Sequence, residues 1–131
     1  MAIAKWATPS TRSSNLAGTT LNSLANGSAT TLITYDNSTA LDLYSIATVK
    51  LGSITPGTGG SVSLRVYAAN GGAFDVYTAA LATGASAKVV TFPMVRLYPV
   101  SCRLQVVNNA GVTLAASGNE LYVRPFNEDI V

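Results

Sequence analysis

Apolar and polar positions alternate along most of this chain with a period of two. In ALDLYSIATVKL (residues 40–51) one face collects Leu41, Leu43, Ala47, Val49 and Leu51, and the other Asp42, Tyr44, Ile46, Thr48 and Lys50. In SVSLRVYA (61–68) Val62, Leu64, Val66 and Ala68 form the expected inner set, against Ser61, Ser63, Arg65 and Tyr67. SCRLQVV (101–107) sets Cys102, Leu104 and Val106 against Ser101, Arg103, Gln105 and Val107, and VTLAAS (112–117) and ELYVRPF (120–126) follow the same rule. Successive side chains of a strand point to opposite faces, so the pattern predicts strands with one face in a core. The predicted strands are 4–8, 29–35, 41–51, 61–69, 73–80, 86–92, 94–98, 101–107, 112–116 and 120–126.

Turn-forming clusters separate these runs: YDNST (35–39), TPGTGG (55–60), NGG (70–72), ATGAS (82–86), NNAG (108–111) and SGN (117–119). Asn108–Gly111, lying between two alternating runs, reads as a tight hairpin. Residues 14–27 read equally as a short helical turn on Leu16, Leu21 and Leu24 or as a loop with an apolar anchor. With no sustained helical period, the fold class is all-β. The expected architecture is an antiparallel β-sandwich, jelly-roll-like, with about eight main strands; a closed barrel is the second choice. Residues 1–131 are expected to form a single domain, with 1–28 as an extended N-terminal arm or loop.

One stretch resists this pattern. In FPMVRLYPV (92–100), Pro93 and Pro99 bracket five strand-like residues, and proline cannot donate to a sheet ladder. Met94–Tyr98 is therefore expected at a sheet edge or a crossover. Val95 and Leu97 would face the core, and Met94, Arg96 and Tyr98 would face out.

Composition changes the picture at one point. Hydrophobic residues make up 48% of the chain but charged residues only 11%, against about 25% in an average domain. Small polar residues stand where charges usually do, as suits a surface packed against neighbours. The eight basic and six acidic residues form no run, so nothing advertises nucleic acid. No stretch is long and apolar enough to span a bilayer, and the N-terminal residues lack the apolar region of a secretory signal.

The chemical inventory is sparse. The chain has no histidine, which removes the commonest general base and every Ser-His-Asp or Cys-His arrangement. Cys102, the single cysteine, sits at an inward position and reads as a buried structural residue. The acids are Asp36, Asp42, Asp75, Glu120, Glu128 and Asp129; no local motif pairs two of them, and Asp36-Asn37 reads as an Asx turn before a calcium turn. TPGTGGS lacks the Gly-Lys-Ser/Thr ending of a phosphate loop. Catalytic residues, cofactors and metals are therefore all read as none. The outward faces are richer. Tyr44, Arg65, Tyr67, Arg96, Tyr98, Tyr122 and Arg124 fall on them, with Ile46, Arg103 and Phe126. Tyr and Arg are enriched at protein interfaces, so the seven named first are the candidate interface residues. The alternative is that a loop or the second sheet covers them. Trp6 reads first as a core anchor and second as the tip of an arm.

The phrases NLAGTTLNSLANGS, ITYDNST, FPMVRLYP and GNELYVRPFNEDIV resemble small virion structural proteins of tailed bacteriophages, the cement or decoration proteins. That resemblance implies a non-enzymatic, jelly-roll-like sandwich. It implies a trimer made in the host cytoplasm, bound to the major capsid protein on the capsid surface and stabilising the head shell, with no nucleic-acid or membrane partner. A receptor- or glycan-binding module of a phage tail is the alternative, and a small hydrolase with a carboxylate pair is a third.

Overall fold

The computed structural model describes residues 4–68, 74–99 and 101–130. Among them are nine strands and no helix: β1 (Ala4–Trp6), β2 (Ile33–Asp36), β3 (Tyr44–Ile54), β4 (Ser61–Tyr67), β5 (Phe74–Ala80), β6 (Ser86–Arg96), β7 (Ser101–Asn109), β8 (Glu120–Phe126) and β9 (Glu128–Ile130). One sheet has the order β2-β7-β4-β5 and a second β6-β3-β8; β1 pairs with β9. All pairings are antiparallel.

Residues 7–16 complete the second sheet without forming a regular strand. They run antiparallel to β8, donating backbone N–H bonds from Ala7, Ser10, Ser13 and Leu16 to the carbonyls of Asn127, Pro125, Val123 and Leu121 at 2.8–2.9 Å. Three residues of the arm advance for every two of β8, so side chains fill the missing rungs. Val123 N–H donates to Ser13 Oγ and Leu121 N–H to Asn15 Oδ1, both at 3.0 Å. With this arm the second sheet reads (7–16)-β8-β3-β6. Only β4 to β5 joins two strands of one sheet, and every other link among β2–β8 crosses the sandwich. Two four-stranded layers in this order form a jelly roll, the antiparallel β-sandwich that the alternation predicts.

The core lies between the layers. Val49, Leu51, Val62, Leu64, Val66, Leu104, Val106, Leu121 and Val123 are all 0–2% exposed, each contributing about 1.5–3 kcal/mol by leaving water. Leu21 and Ala17 cap one side of it from the 14–27 segment, which is a series of turns, not a helix. Cys102 is buried as expected, and burial pushes its thiol pKa above the ordinary value.

Four sequence expectations are corrected. Residues 112–116 form no strand, so Asn108–Gly111 is not a hairpin. Asn108 explains why: its side-chain N–H groups donate to Leu24 O and Val112 O, and its Oδ1 accepts from Ala110 N–H, all at 2.9 Å, pulling the chain away from β7. Residues 86–92 and 94–98 are not two strands, because β6 continues through Pro93 to Arg96. The register passes from Ala47↔Phe92 to Ser45↔Val95, leaving Pro93 and Met94 together opposite Ile46 in a bulge on an edge strand. There the missing proline N–H costs no ladder bond. Leu41 and Leu43, placed on the inner face by parity, are 50% and 45% exposed, because the β3 ladder begins only at Tyr44. Val107, placed outside, is buried where Ala29 bridges to it.

Loops are braced by buried amides. Asn37, Asn108 and Asn119 are 0–3% exposed. Asn37 donates to Asp42 O and Tyr98 O at 2.8 and 2.7 Å and accepts from Asp42 N–H at 2.9 Å. Asn119 donates to Asn22 Oδ1 and Ala115 O at 3.0 and 2.8 Å and accepts from Gly52 N–H at 3.0 Å. Lys88 points inward on β6, its ammonium held by Gly84 O at 2.7 Å and Ser86 Oγ at 2.8 Å. An inward lysine and a proline bulge both discourage indiscriminate pairing at this edge.

Candidate interaction surface

The seven candidate residues do not form one patch. Arg65 and Tyr67 lie on the outer face of the β2-β7-β4-β5 sheet, where both donate to Gln105 Oε1, at 3.2 and 3.0 Å. Gln105 donates in turn to Thr30 O at 2.9 Å. This is a cross-strand polar cluster.

Tyr98 faces the sandwich, correcting its outward placement. Its ring packs against the core cluster and its hydroxyl donates to Asp75 Oδ2 at 3.0 Å. Parity fails because β6 ends at Arg96, and Tyr98 N–H turns to Cys102 Sγ at 3.0 Å. Burial, followed by the Asp75 hydrogen bond, raises the Tyr98 pKa. Beside it, Arg96 N–H donates to Tyr77 Oη at 3.0 Å. The two tyrosine contacts close the side of the sandwich between the edge strands β5 and β6.

Tyr44, Arg96, Tyr122 and Arg124 share the outer face of the second sheet. Register sets them out as a grid: Arg96, Tyr44 and Phe126 lie side by side across β6, β3 and β8, and Ile46 and Arg124 are neighbours in the next outward row. Met94, in the bulge opposite Ile46, completes that row on the β6 side. Tyr122, further along β8, carries the Arg12 guanidinium 3.8 Å above its ring, and Arg124 Nε donates to Ser10 O at 2.8 Å. Both contacts pin the N-terminal arm.

Trp6 is 55% exposed, so it is an arm residue and not a core anchor. It stands edge-on to Tyr44 and Phe126, each at 5.6 Å between centroids, while Tyr44 and Phe126 stack at 5.7 Å. This trio buries Phe126 to 8% exposure on a face where strand parity alone would leave it open. Two grooves adjoin the trio. One, of about 460 Å³, is lined by Trp6, Ala7, Pro9, Ile46, Pro93, Met94 and Phe126. The other, of about 350 Å³, is bounded by Leu41, Asp42, Leu43, Tyr44, Arg96, Leu97 and Pro99. Of the seven large apolar side chains exposed among the described residues, four (Trp6, Leu41, Leu43 and Met94) line these grooves. Leu41 holds a left-handed φ of 52°, unusual for a branched apolar residue. Asn37 fixes it there, its carbonyl accepting from Leu41 N–H at 3.1 Å.

Sequence reasoning missed the groove because its walls come from the arm, a bulge and a loop. The usable signal was Trp6-Ala-Thr-Pro9, apolar residues beside a proline that strand periodicity cannot place, together with the outward Met94 next to Pro93.

The carboxylates are dispersed. Asp36 closes an Asx turn, its Oδ1 accepting from Ser38 N–H at 2.9 Å and Ser38 Oγ at 2.6 Å, and those bonds lower its pKa. Asp75 holds Tyr98, and Glu120 stands opposite Lys50 across β8 and β3. Among the described residues no group of three or more Cys, Asp and Glu is placed to hold a metal ion. What the arrangement offers is apolar area with cationic corners, the chemistry of binding. No protein-family model matches the chain, and no curated protein matches it.

Proposed function

We propose that this chain is a non-enzymatic virion structural protein, a cement or decoration protein that binds and stabilises the head shell of a tailed bacteriophage. The observation that carries the reading is the apolar surface around Trp6, Tyr44 and Met94, exposed on a chain with few charges. Exposed apolar area concentrated in one region marks a binding face. The sequence phrases resembling phage cement proteins supply the setting. The partner in this reading is the major capsid protein, the working state is a trimer, and repetition of a modest contact by capsid symmetry supplies avidity. The glycan-binding alternative is less favoured. Sugars need several hydrogen-bonding groups beside an open ring, and the larger groove is walled almost wholly by apolar side chains while its aromatic rings pack on one another.

Mass spectrometry of purified virions tests the reading. A copy number comparable with that of the major capsid protein supports it, a tail-like copy number favours the alternative, and absence from the particle overturns both. Light scattering on the purified chain tests the trimer.

A further inference from the structure

We propose that the face around Tyr44 binds an extended acidic segment of a partner polypeptide, with an apolar side chain in the Trp6–Ile46–Met94 groove and a carboxylate on each of Arg96 and Arg124. Register sets the spacing of the two cations. Arg96 is beside Tyr44 on β6, and Arg124 is beside Ile46 on β8. Two strand spacings and two residues separate them, which places their backbones about 12 Å apart. Met94 and Phe126 occupy the other two corners of the same grid. An apolar diagonal therefore crosses a cationic one, with Ile46 and Tyr44 at the centre.

The cations are available. Arg96 is exposed, with its guanidinium 5.7 Å from the Tyr98 ring centroid. Arg124 is exposed and donates from Nε, not from its terminal nitrogens, to Ser10 O. Among the described residues, neither has a carboxylate within ion-pair distance. An extended segment rises about 3.4 Å per residue and presents alternate side chains on one face. Acids at positions i and i+4 then span the two arginines, and the residue at i+2 meets the groove between them. Main-chain spacing, charge and apolar volume all select the same short pattern: acid, any, apolar, any, acid. The Pro93 bulge matters here, since it turns Met94 outward instead of Phe92 or Val95.

This inference rests on the surface itself and not on the virion assignment, so the two fail separately. The test is an NMR titration of the ¹⁵N-labelled full chain with blocked Glu-Gly-Leu-Gly-Glu, Lys-Gly-Leu-Gly-Lys and Glu-Gly-Gly-Gly-Glu peptides, and with an oligothymidylate. The expected result is saturable shifts at Trp6, Ile46 and Met94 with the first peptide at millimolar concentration. Binding should weaken about three- to fivefold in Arg96→Ala, which removes one exposed charge pair, and at least as much in Arg124→Gln, which also loses the Nε bond to Ser10 O that holds the arm wall of the groove. Met94→Ser should weaken it similarly, and added salt should weaken it in the native chain. An unchanged pattern of undisturbed peaks in each variant verifies its fold. The proposal is overturned if the lysine peptide or the leucine-free peptide binds as well. It is also overturned if the oligothymidylate binds the same residues more tightly, or if no shift reaches this face.

Discussion

Replacing Asn37 by alanine should cost about 3 kcal/mol of folding stability, although Asn37 belongs to no strand. Its amide makes three hydrogen bonds: two donated, to Asp42 O and Tyr98 O, and one accepted from Asp42 N–H. Each is worth about 1 kcal/mol net, and more when the abandoned partner stays out of water. Water can reach part of the 37–42 loop, which keeps the total near the simple sum. For a domain of this length the melting temperature should fall by about 10 °C. Urea unfolding followed by far-ultraviolet circular dichroism reads the same quantity. Asn37→Asp sharpens the test. A carboxylate facing two carbonyls is repelled, so the native state of that variant favours the protonated acid and its folded pKa lies above the unfolded value. The native state then binds the extra proton, and stability falls as pH rises from the unfolded pKa, about 3.9, through the raised folded one. Asn37→Asp should therefore be less stable than Asn37→Ala at pH 7 and should regain stability toward pH 4. A loss below about 1 kcal/mol in the alanine variant, or a flat pH profile for the aspartate variant, refutes the bracing argument.

Three further outcomes are expected. Gly52→Ala should destabilise by about 2 kcal/mol or more in the same unfolding assay, because the added methyl would collide with the Ser117 carbonyl oxygen and lie 2.8 Å from Ala115 Cβ. Cys102 should not react with a thiol reagent at pH 8 until urea unfolds the chain, since it is fully buried and burial raises its pKa; prompt labelling of the native protein would contradict the packing. In alkaline difference spectra Tyr35 and Tyr98 should ionise later in the native protein than in the urea-unfolded chain, because burial first, and then Asp42 for Tyr35 and Asp75 for Tyr98, raises both above 10.0. The native state holds those protons more tightly than the unfolded chain, so stability should fall as pH climbs past 10.0.

The strands were legible where a ladder enforces alternation. From Tyr44 to Leu51 and from Ser61 to Tyr67 parity alone separates core from surface. It failed where side chains, not backbone partners, direct the chain. Asn108 ends β7 by binding its own loop, and no local pattern announces that. Leu41 and Leu43 continue the periodic run, yet Asn37 turns them outward. Tyr98 lies beyond the end of β6 at Arg96, where face no longer follows count. The candidate surface was partly legible: Tyr44, Arg96 and Arg124 were readable as outward strand positions. Trp6 and Pro9 were not, because an arm with irregular spacing has no period; Met94 was readable as outward and is exposed, but the bulge that carries it was not.

The irregular arm beside β8 has a consequence for the order of folding. Residues 7–16 are synthesised well before their partner, Glu120–Phe126. β3 likewise waits for both β6 and β8, and β2 waits for β7. Of the pairings within the two main sheets, only β4 with β5 joins neighbours in sequence. Contacts this distant fold slowly. A chain stopped short of Glu120 would hold a loose arm and one unpaired flank of β3, and would be exposed to pairing with whatever strand it met. β8 is thus the latch of the molecule, and synthesis must pass Phe126 before the sandwich can shut.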